Sequence, residues 1–215
     1  MNFPHLFYHI THLSFSSLWL YMTDREKWGR QYVDKIKDEP SEAMLLGSRV
    51  HKDIELYLLG QGDKDADKLY FPCWLEWFDS KTGLILTPEV KGTHNGIVGC
   101  MDAVSQDKAR IYDWKVCKSR TKDFNLRYEL QAATYSLLVP EAQTVTFVEI
   151  IKKKKPTIHE YPVLLSALHT KTILQLFNNM KRELQGEYLA PEWKDLYYIE
   201  SVFRDALDLN FLLEC

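Results

Sequence analysis

The chain has 215 residues, 46% of them apolar and 27% charged, which fits one compact domain able to bury a real core. A formal charge of −3 excludes a global pull towards nucleic acid, so a polyanionic partner would have to be met by a local basic patch or by metal ions. Cys73, Cys100, Cys117 and Cys215 stand far apart with no C-x-x-C pair, which argues against a zinc knuckle and a secreted disulfide framework and for reduced thiols in a cytoplasm.

The N-terminal stretch MNFPHLFYHITHLSFSSLWLYM lacks the basic start of a signal peptide, and its apolar positions are broken by His, Thr and Ser. No apolar run reaches the roughly 18 residues of a membrane helix, so a soluble protein without a membrane partner is expected. In SFSSLWLYMTDREKWGRQYVDKI, residues 14–36, the serines can cap a helix and Leu18, Tyr21 and Met22 recur at helical spacing. After Pro40, the segment SEAMLLGSRVHKDIELYLLG repeats Leu46, Val50, Ile54 and Leu58 every four residues until Gly60, which predicts a second helix. A third is predicted in DADKLYFPCWLEWFDS, with Pro72 turning part of it into loop.

From Gly83 the period changes. LILTPEV, GIVGCMDAV and ARIYDWKVC are short, rich in branched residues and separated by Gly, Asn, Asp and Lys turns, the pattern of an antiparallel meander. Helical spacing returns in LRYELQAATYSLL and ends at Pro140. TVTFVEIIKKKK and TIHEYPV read as a strand pair around Pro156, and LLSALHTKTILQLFNNMKRELQG reads as a long helix. The expected class is α+β, a mixed central sheet with helices before, between and after. A single domain would comprise a helical segment over 1–60, a sheet and catalytic core over 83–162 and a helical part over 163–215.

Within the meander, DWK places an acid and a lysine where apolar core is expected. Side chains alternate along a strand, so Ala109, Ile111, Asp113, Lys115 and Cys117 share one face, and Tyr112, Trp114 and Val116 the other. With a turn centred between Gln106 and Asp107, Asp102 falls opposite Ile111 and diagonal to Asp113, with Cβ atoms on the order of 7 Å apart. A slip of one residue would move Asp102 to the far side of the sheet. Clustered carboxylates repel, burial sharpens the repulsion, and Lys115 neutralises only one of them. A hard divalent ion, Mg²⁺ or Mn²⁺, held by the two aspartates and the Trp114 carbonyl, is the economical answer. Lys115 would then orient or deprotonate a water, or stabilise charge on a phosphate.

These residues carry a resemblance. Gly99 to Asp102 (G-x-x-D) followed by Asp113 to Lys115 (D-W-K) resembles the core of the PD-(D/E)XK nucleases, whose fold is restriction-endonuclease-like. Gly47 and His51 in GSRVH match the upstream helix motif of the RecB-like exonuclease branch, and Gln131 and Tyr135 in LQAATY match its downstream motif. The segment 14–36 is similar to the opening helix of that branch. The match spans residues 14 to about 139 in the correct order. The resemblance implies that His51 is an additional metal ligand and that Gln131 and Tyr135 sit beside the active site, helping to position the lysine and the DNA backbone. Gly47, on the face of His51, would permit close approach of the helix to the sheet. Glu89 is a marginal candidate for a second metal, with a solvated strand carboxylate as its plainer reading.

The chain also departs from the pattern. Relatives with an iron–sulfur cluster place one cysteine near the N-terminal helix and three near the C-terminus. Here the first segment reads TDREK, with Thr23 and Asp24, and only Cys215 lies in the last third, so no cluster is expected. No helicase module is present, so unwinding would need a separate helicase or recombinase chain. Lys118, Arg120 and Lys122 are candidate DNA contacts just past the catalytic strand, whereas Lys152 to Lys155 read first as a solvated hairpin tip. Trp19, Trp28, Trp74, Trp77 and Trp193 read mainly as core. The expected function is a Mg²⁺- or Mn²⁺-dependent exonuclease acting on DNA ends in recombination or repair, of a size that suits a phage. The alternatives are a non-catalytic DNA-binding or assembly protein on the same scaffold, and an endonuclease with the same site.

Overall fold

The computed structural model of the chain describes residues 12–62, 65–122 and 124–213; Cys215 lies outside the described residues. Helix α1 (Phe15–Thr23) starts at Ser14, whose hydroxyl accepts the Ser17 N–H at 3.3 Å. It stops at Asp24, which leaves helical space (φ −153°, ψ 84°) and begins α2 (Arg25–Trp28) by accepting the Lys27 N–H at 2.9 Å. The single helix expected over 14–36 is therefore broken, because an aspartate is worth more as a cap than inside a helix. A π turn over Gly29–Val33 follows. Helix α3 (Glu42–Leu58) is capped by Ser41 and followed by Gly60 at φ 71°, as the pattern predicts. Helix α4 (Tyr70–Asp79) runs through Pro72. The proline stands in the first turn, where its missing N–H has no intrahelical partner to lose, so it interrupts nothing.

Five strands form one sheet in the order of the chain: β1 (Leu86–His94), β2 (Ile97–Ser105), β3 (Arg110–Cys117), β4 (Thr144–Ile151) and β5 (Thr157–Leu164). Only β3 and β4 are parallel, joined through α5 (Leu126–Leu138); the other neighbours are antiparallel. The β1–β2 hairpin turns on Asn95 and Gly96, both at positive φ, 48° and 78°, the requirement of a tight hairpin turn matched to strand twist. Helix α6 (Ala167–Leu184), a 3₁₀ turn (Pro191–Lys194) and α7 (Leu196–Leu213) complete the chain.

Alternation along β3 sorts the core as expected. Ile111 packs with Met101, Val104, Tyr128, Tyr135 and Phe147 beneath α5, whereas Tyr112 and Trp114 pack with Val50, Ile54, Trp74 and Trp77 beneath α3 and α4. A further apolar cluster joins α1, α2, α5, α6 and α7, with Trp28 at its centre and Trp19 and Trp193 half-buried at its edge. Trp28, Trp74 and Trp77 are buried, as read from sequence.

The β2–β3 register differs from expectation. Ala103 pairs with Tyr112 and Val104 with Ile111, so the turn is centred between Asp107 and Lys108. Asp107 accepts the Ser105 hydroxyl at 2.5 Å and the Ala109 N–H at 3.1 Å, and Lys108 takes φ 60°, which adds a residue to the near arm. The shift moves the partner of Asp102 from Ile111 to Asp113, two residues on, and therefore keeps the shared face.

Gly92 and Gly99 are paired across the β1–β2 hairpin, and the end of α5 rests on them. A Cβ at Gly92 would lie 2.7 Å from Leu138 Cβ and 3.2 Å from its carbonyl oxygen, whereas one at Gly99 would meet only Leu138 Cδ1, at 2.6 Å. Gly92→Ala is expected to lower unfolding stability by about 1–3 kcal/mol through overpacking. Gly99→Ala should cost less, since a leucine tip can rotate away. Denaturant unfolding of the two variants gives the ordering, and equal midpoints would contradict it.

Candidate active site

The β2–β3 ladder pairs only Ala103 and Val104 of β2, and the far end of β2 is bridged instead by Leu13 against Ile97. The two strands thus diverge, and the fork opens at Asp102. Asp102 Oδ2 fills the gap by accepting the Trp114 N–H at 2.8 Å. Backbone N–H and C=O of one strand residue point to the same side, so the Trp114 carbonyl also faces Asp102 and not β4.

Asp113 is 2% exposed and anchors the site. Its Oδ2 accepts from Gln131 Nε2 at 2.8 Å and from the Tyr135 hydroxyl at 2.7 Å, and Gln131 also donates to the Tyr135 oxygen at 2.7 Å. These side chains lie four residues apart on one face of α5, and the helix aims both at the acid. Lys115 Nζ forms an ion pair with Asp113 Oδ1, a buried oxygen that accepts no aligned hydrogen bond. Burial pushes the Asp113 carboxyl above the ordinary aspartate range, the Lys115 ammonium opposes this, and the charge on Asp102 adds to the rise. Burial and then the Asp113 charge raise the Tyr135 phenol well above its usual value, which keeps it a neutral donor.

His51 projects from α3 and sets Nδ1 3.3 Å from Asp102 Oδ2. Burial alone would lower the imidazole, but hydrogen bonding to Asp102 and the charges of Asp102 and Asp113 outweigh it and raise the pKa. His51 and Lys115 line one cleft of about 640 Å³ together with Gly47, Ser48 and Glu89. Gly47 does not press against the sheet as expected: a Cβ there would meet nothing within 4 Å. The buried positions of α3 are Val50, Asp53 and Ile54, so the close packing begins one turn after Gly47.

Glu89 stands in β1 between the pairs Pro88–Ala103 and Val90–Met101, across from Asp102. It is exposed, takes φ 50° and accepts the Cys100 thiol at 3.1 Å. It borders the cleft without bonding to either aspartate. Among the described residues, no three His, Cys, Asp or Glu side chains converge as a ligand set; His51 Nδ1 and Asp102 Oδ2 stand as a pair. The donor chemistry nonetheless suits a hard divalent cation: two mutually repelling carboxylates, a buried carboxylate oxygen with no aligned donor and a main-chain carbonyl on the same side.

Lys118, Arg120 and Lys122 are exposed on the segment leaving β3 and make no contact with the aspartates. Between them, Thr121 donates its N–H, at 2.7 Å, and its hydroxyl, at 2.5 Å, to Glu149. Glu149, the register partner of Lys115 on β4, is 1% exposed and also binds the Tyr128 hydroxyl and His159 Nδ1, each at 2.9 Å. Sequence reading passed over Glu149, although a lone acid inside TVTFVEII carries the same signal as the acid in DWK.

No family model and no curated protein matches the sequence. Solved structures do match. A protein of Eubacterium rectale provisionally assigned as an exonuclease superposes with a TM-score of 0.59 at 19% identity, over 87% of this chain and 86% of that one. An alkaline exonuclease, LHK-Exo from Laribacter hongkongensis, gives 0.58 at 16% identity, over 95% and 97% of the two chains. Its complex with dAMP gives 0.56 at the same identity and coverage. The chain therefore has the restriction-endonuclease-like α+β fold of these exonuclease structures. Among the described residues, no helix is long and apolar enough to cross a membrane.

Proposed function

We propose that the chain is a Mg²⁺- or Mn²⁺-dependent deoxyribonuclease of the RecB-like branch of the PD-(D/E)XK nucleases, digesting DNA from its ends. The observation that carries this reading is the buried Asp113 carboxylate, bonded by Gln131 and Tyr135 through one oxygen and facing Lys115 with the other, beside Asp102. A protein without catalytic demand has little reason to bury one acid next to another. The exonuclease structures of like fold, one of them holding dAMP, support the same substrate class.

A divalent cation held by Asp102, Asp113 and the Trp114 carbonyl would supply charge neutralisation and acidify a water at neutral pH. Lys115 offers its ammonium to the cleft, where it positions the attacking water or offsets charge developing on the phosphate. Gln131 and Tyr135 hold Asp113 in a single orientation, and His51 does the same for Asp102. With Mg²⁺ or Mn²⁺, end-labelled linear DNA is expected to be degraded and covalently closed circles spared, while excess chelator stops digestion. Linear DNA left intact with either metal refutes the nuclease reading; circles that are cut convert it to an endonuclease.

A further inference from the structure

We propose that the segment leaving β3 and the tip joining β4 to β5 form one basic strip that grips the DNA backbone several nucleotides from the cleft, an inference that rests on the nuclease reading above. β3 and β4 run parallel with Cys117 paired to Ile151, so the two strands end side by side. The Lys152 N–H donates to the Cys117 carbonyl at 2.8 Å, and the two departing segments start in contact. One holds three cations in residues 118–122, Lys118, Arg120 and Lys122; the other holds four, Lys152 to Lys155; neither run contains an acid, in a chain whose net charge is −3. All but Lys152 are exposed, and none forms an ion pair with a described residue. Surface cations gathered at this density are neutralised by a polyanion with release of its counterions.

The strip is held in place. Thr121, between Arg120 and Lys122 in the first run, is tied by N–H and hydroxyl to Glu149 beneath it, and Tyr128 and His159 bond the same carboxylate. Both Glu149 oxygens are thus used in the interior, and the acid neutralises nothing on the outer surface. Lys152 follows Glu149 by three residues, which at roughly 3.3 Å per strand residue puts the tip about 10 Å along the strands from Lys115. That is about three nucleotide steps at roughly 3.4 Å each, so a dinucleotide, with a single step, reaches the cleft without reaching the strip.

The test uses the full chain in chelator, where binding is read without cleavage, with fluorescent oligothymidylates of about two and about twenty nucleotides titrated across salt concentrations. Two variants are compared with the parent: one combining Lys152→Gln, Lys153→Gln, Lys154→Gln and Lys155→Gln, the other combining Arg120→Gln and Lys122→Gln. Each is expected to weaken binding of the long oligonucleotide about tenfold or more and to flatten its log–log salt dependence by about 0.7 per lost contact, while the short one changes little. Parental affinity and salt slope on the long oligonucleotide, equal losses on both lengths, or binding to phosphatidylserine vesicles without binding to DNA would each overturn the proposal. If the nuclease reading alone is wrong, linear DNA stays intact with metal while the affinity and slope differences persist.

Discussion

Lys115→Ala is expected to lower the rate of end-labelled DNA digestion on the order of 10²–10³-fold, the usual effect of removing one group that stabilises developing charge. The fold should survive. Lys115 is half-buried, and its ammonium contacts Asp113 Oδ1 and the Phe147 ring, 5.7 Å from the centroid, leaving the packing of β3 to Ile111, Tyr112 and Trp114. Asp113 keeps its bonds from Gln131 and Tyr135 in the variant. Rates under excess DNA, with a thermal unfolding curve as control, settle the matter. Digestion at the parental rate by a folded Lys115→Ala protein removes the lysine from the mechanism.

Asp113→Asn is expected to lose activity on the order of 10³-fold yet to be at least as stable as the parent at neutral pH. Burial raises the folded-state pKa of Asp113, with Lys115 only partly offsetting it. An acid raised on folding contributes stability that is fully present below its unfolded value and is lost as pH rises through the folded one. The parent should therefore lose stability between the ordinary aspartate range and that raised value, and the amide variant should lack the decline. The amide keeps an oxygen to accept from Tyr135 and Gln131. Unfolding midpoints of both proteins across mildly acidic to alkaline pH check the sign. A variant markedly less stable than the parent at neutral pH would mean that the Lys115 pair outweighs the burial penalty.

Local pattern carried much of the fold because periodicity and breakers act over a few residues. The four-residue repeat Leu46, Val50, Ile54, Leu58 and the flanking Ser41 and Gly60 are enough for α3, and Pro140 closes α5 at its observed end. The alternation that sets Asp113 with Lys115 and apart from Trp114 is likewise a property of any strand. Asp113 and Lys115 could be named for the same reason, since an acid and a lysine in an apolar strand stand out, whereas the roles of His51, Gln131 and Tyr135 came only from the family resemblance.

The identity and spacing of the elements and the faces of the strands were thus legible in the chain, all consequences of backbone geometry within one segment. Tertiary structure alone decided the rest. It shifted the β2–β3 register through the Asp107 turn, opened the fork where Trp114 N–H meets Asp102, turned His51 onto that acid and moved Gly47 from the sheet to the cleft wall. It also placed Glu149 beneath Thr121 and brought two separate lysine-rich runs together at the ends of β3 and β4. Each of these depends on partners distant in sequence, whose competition for hydrogen bonds and charge is resolved only when the chain closes on itself.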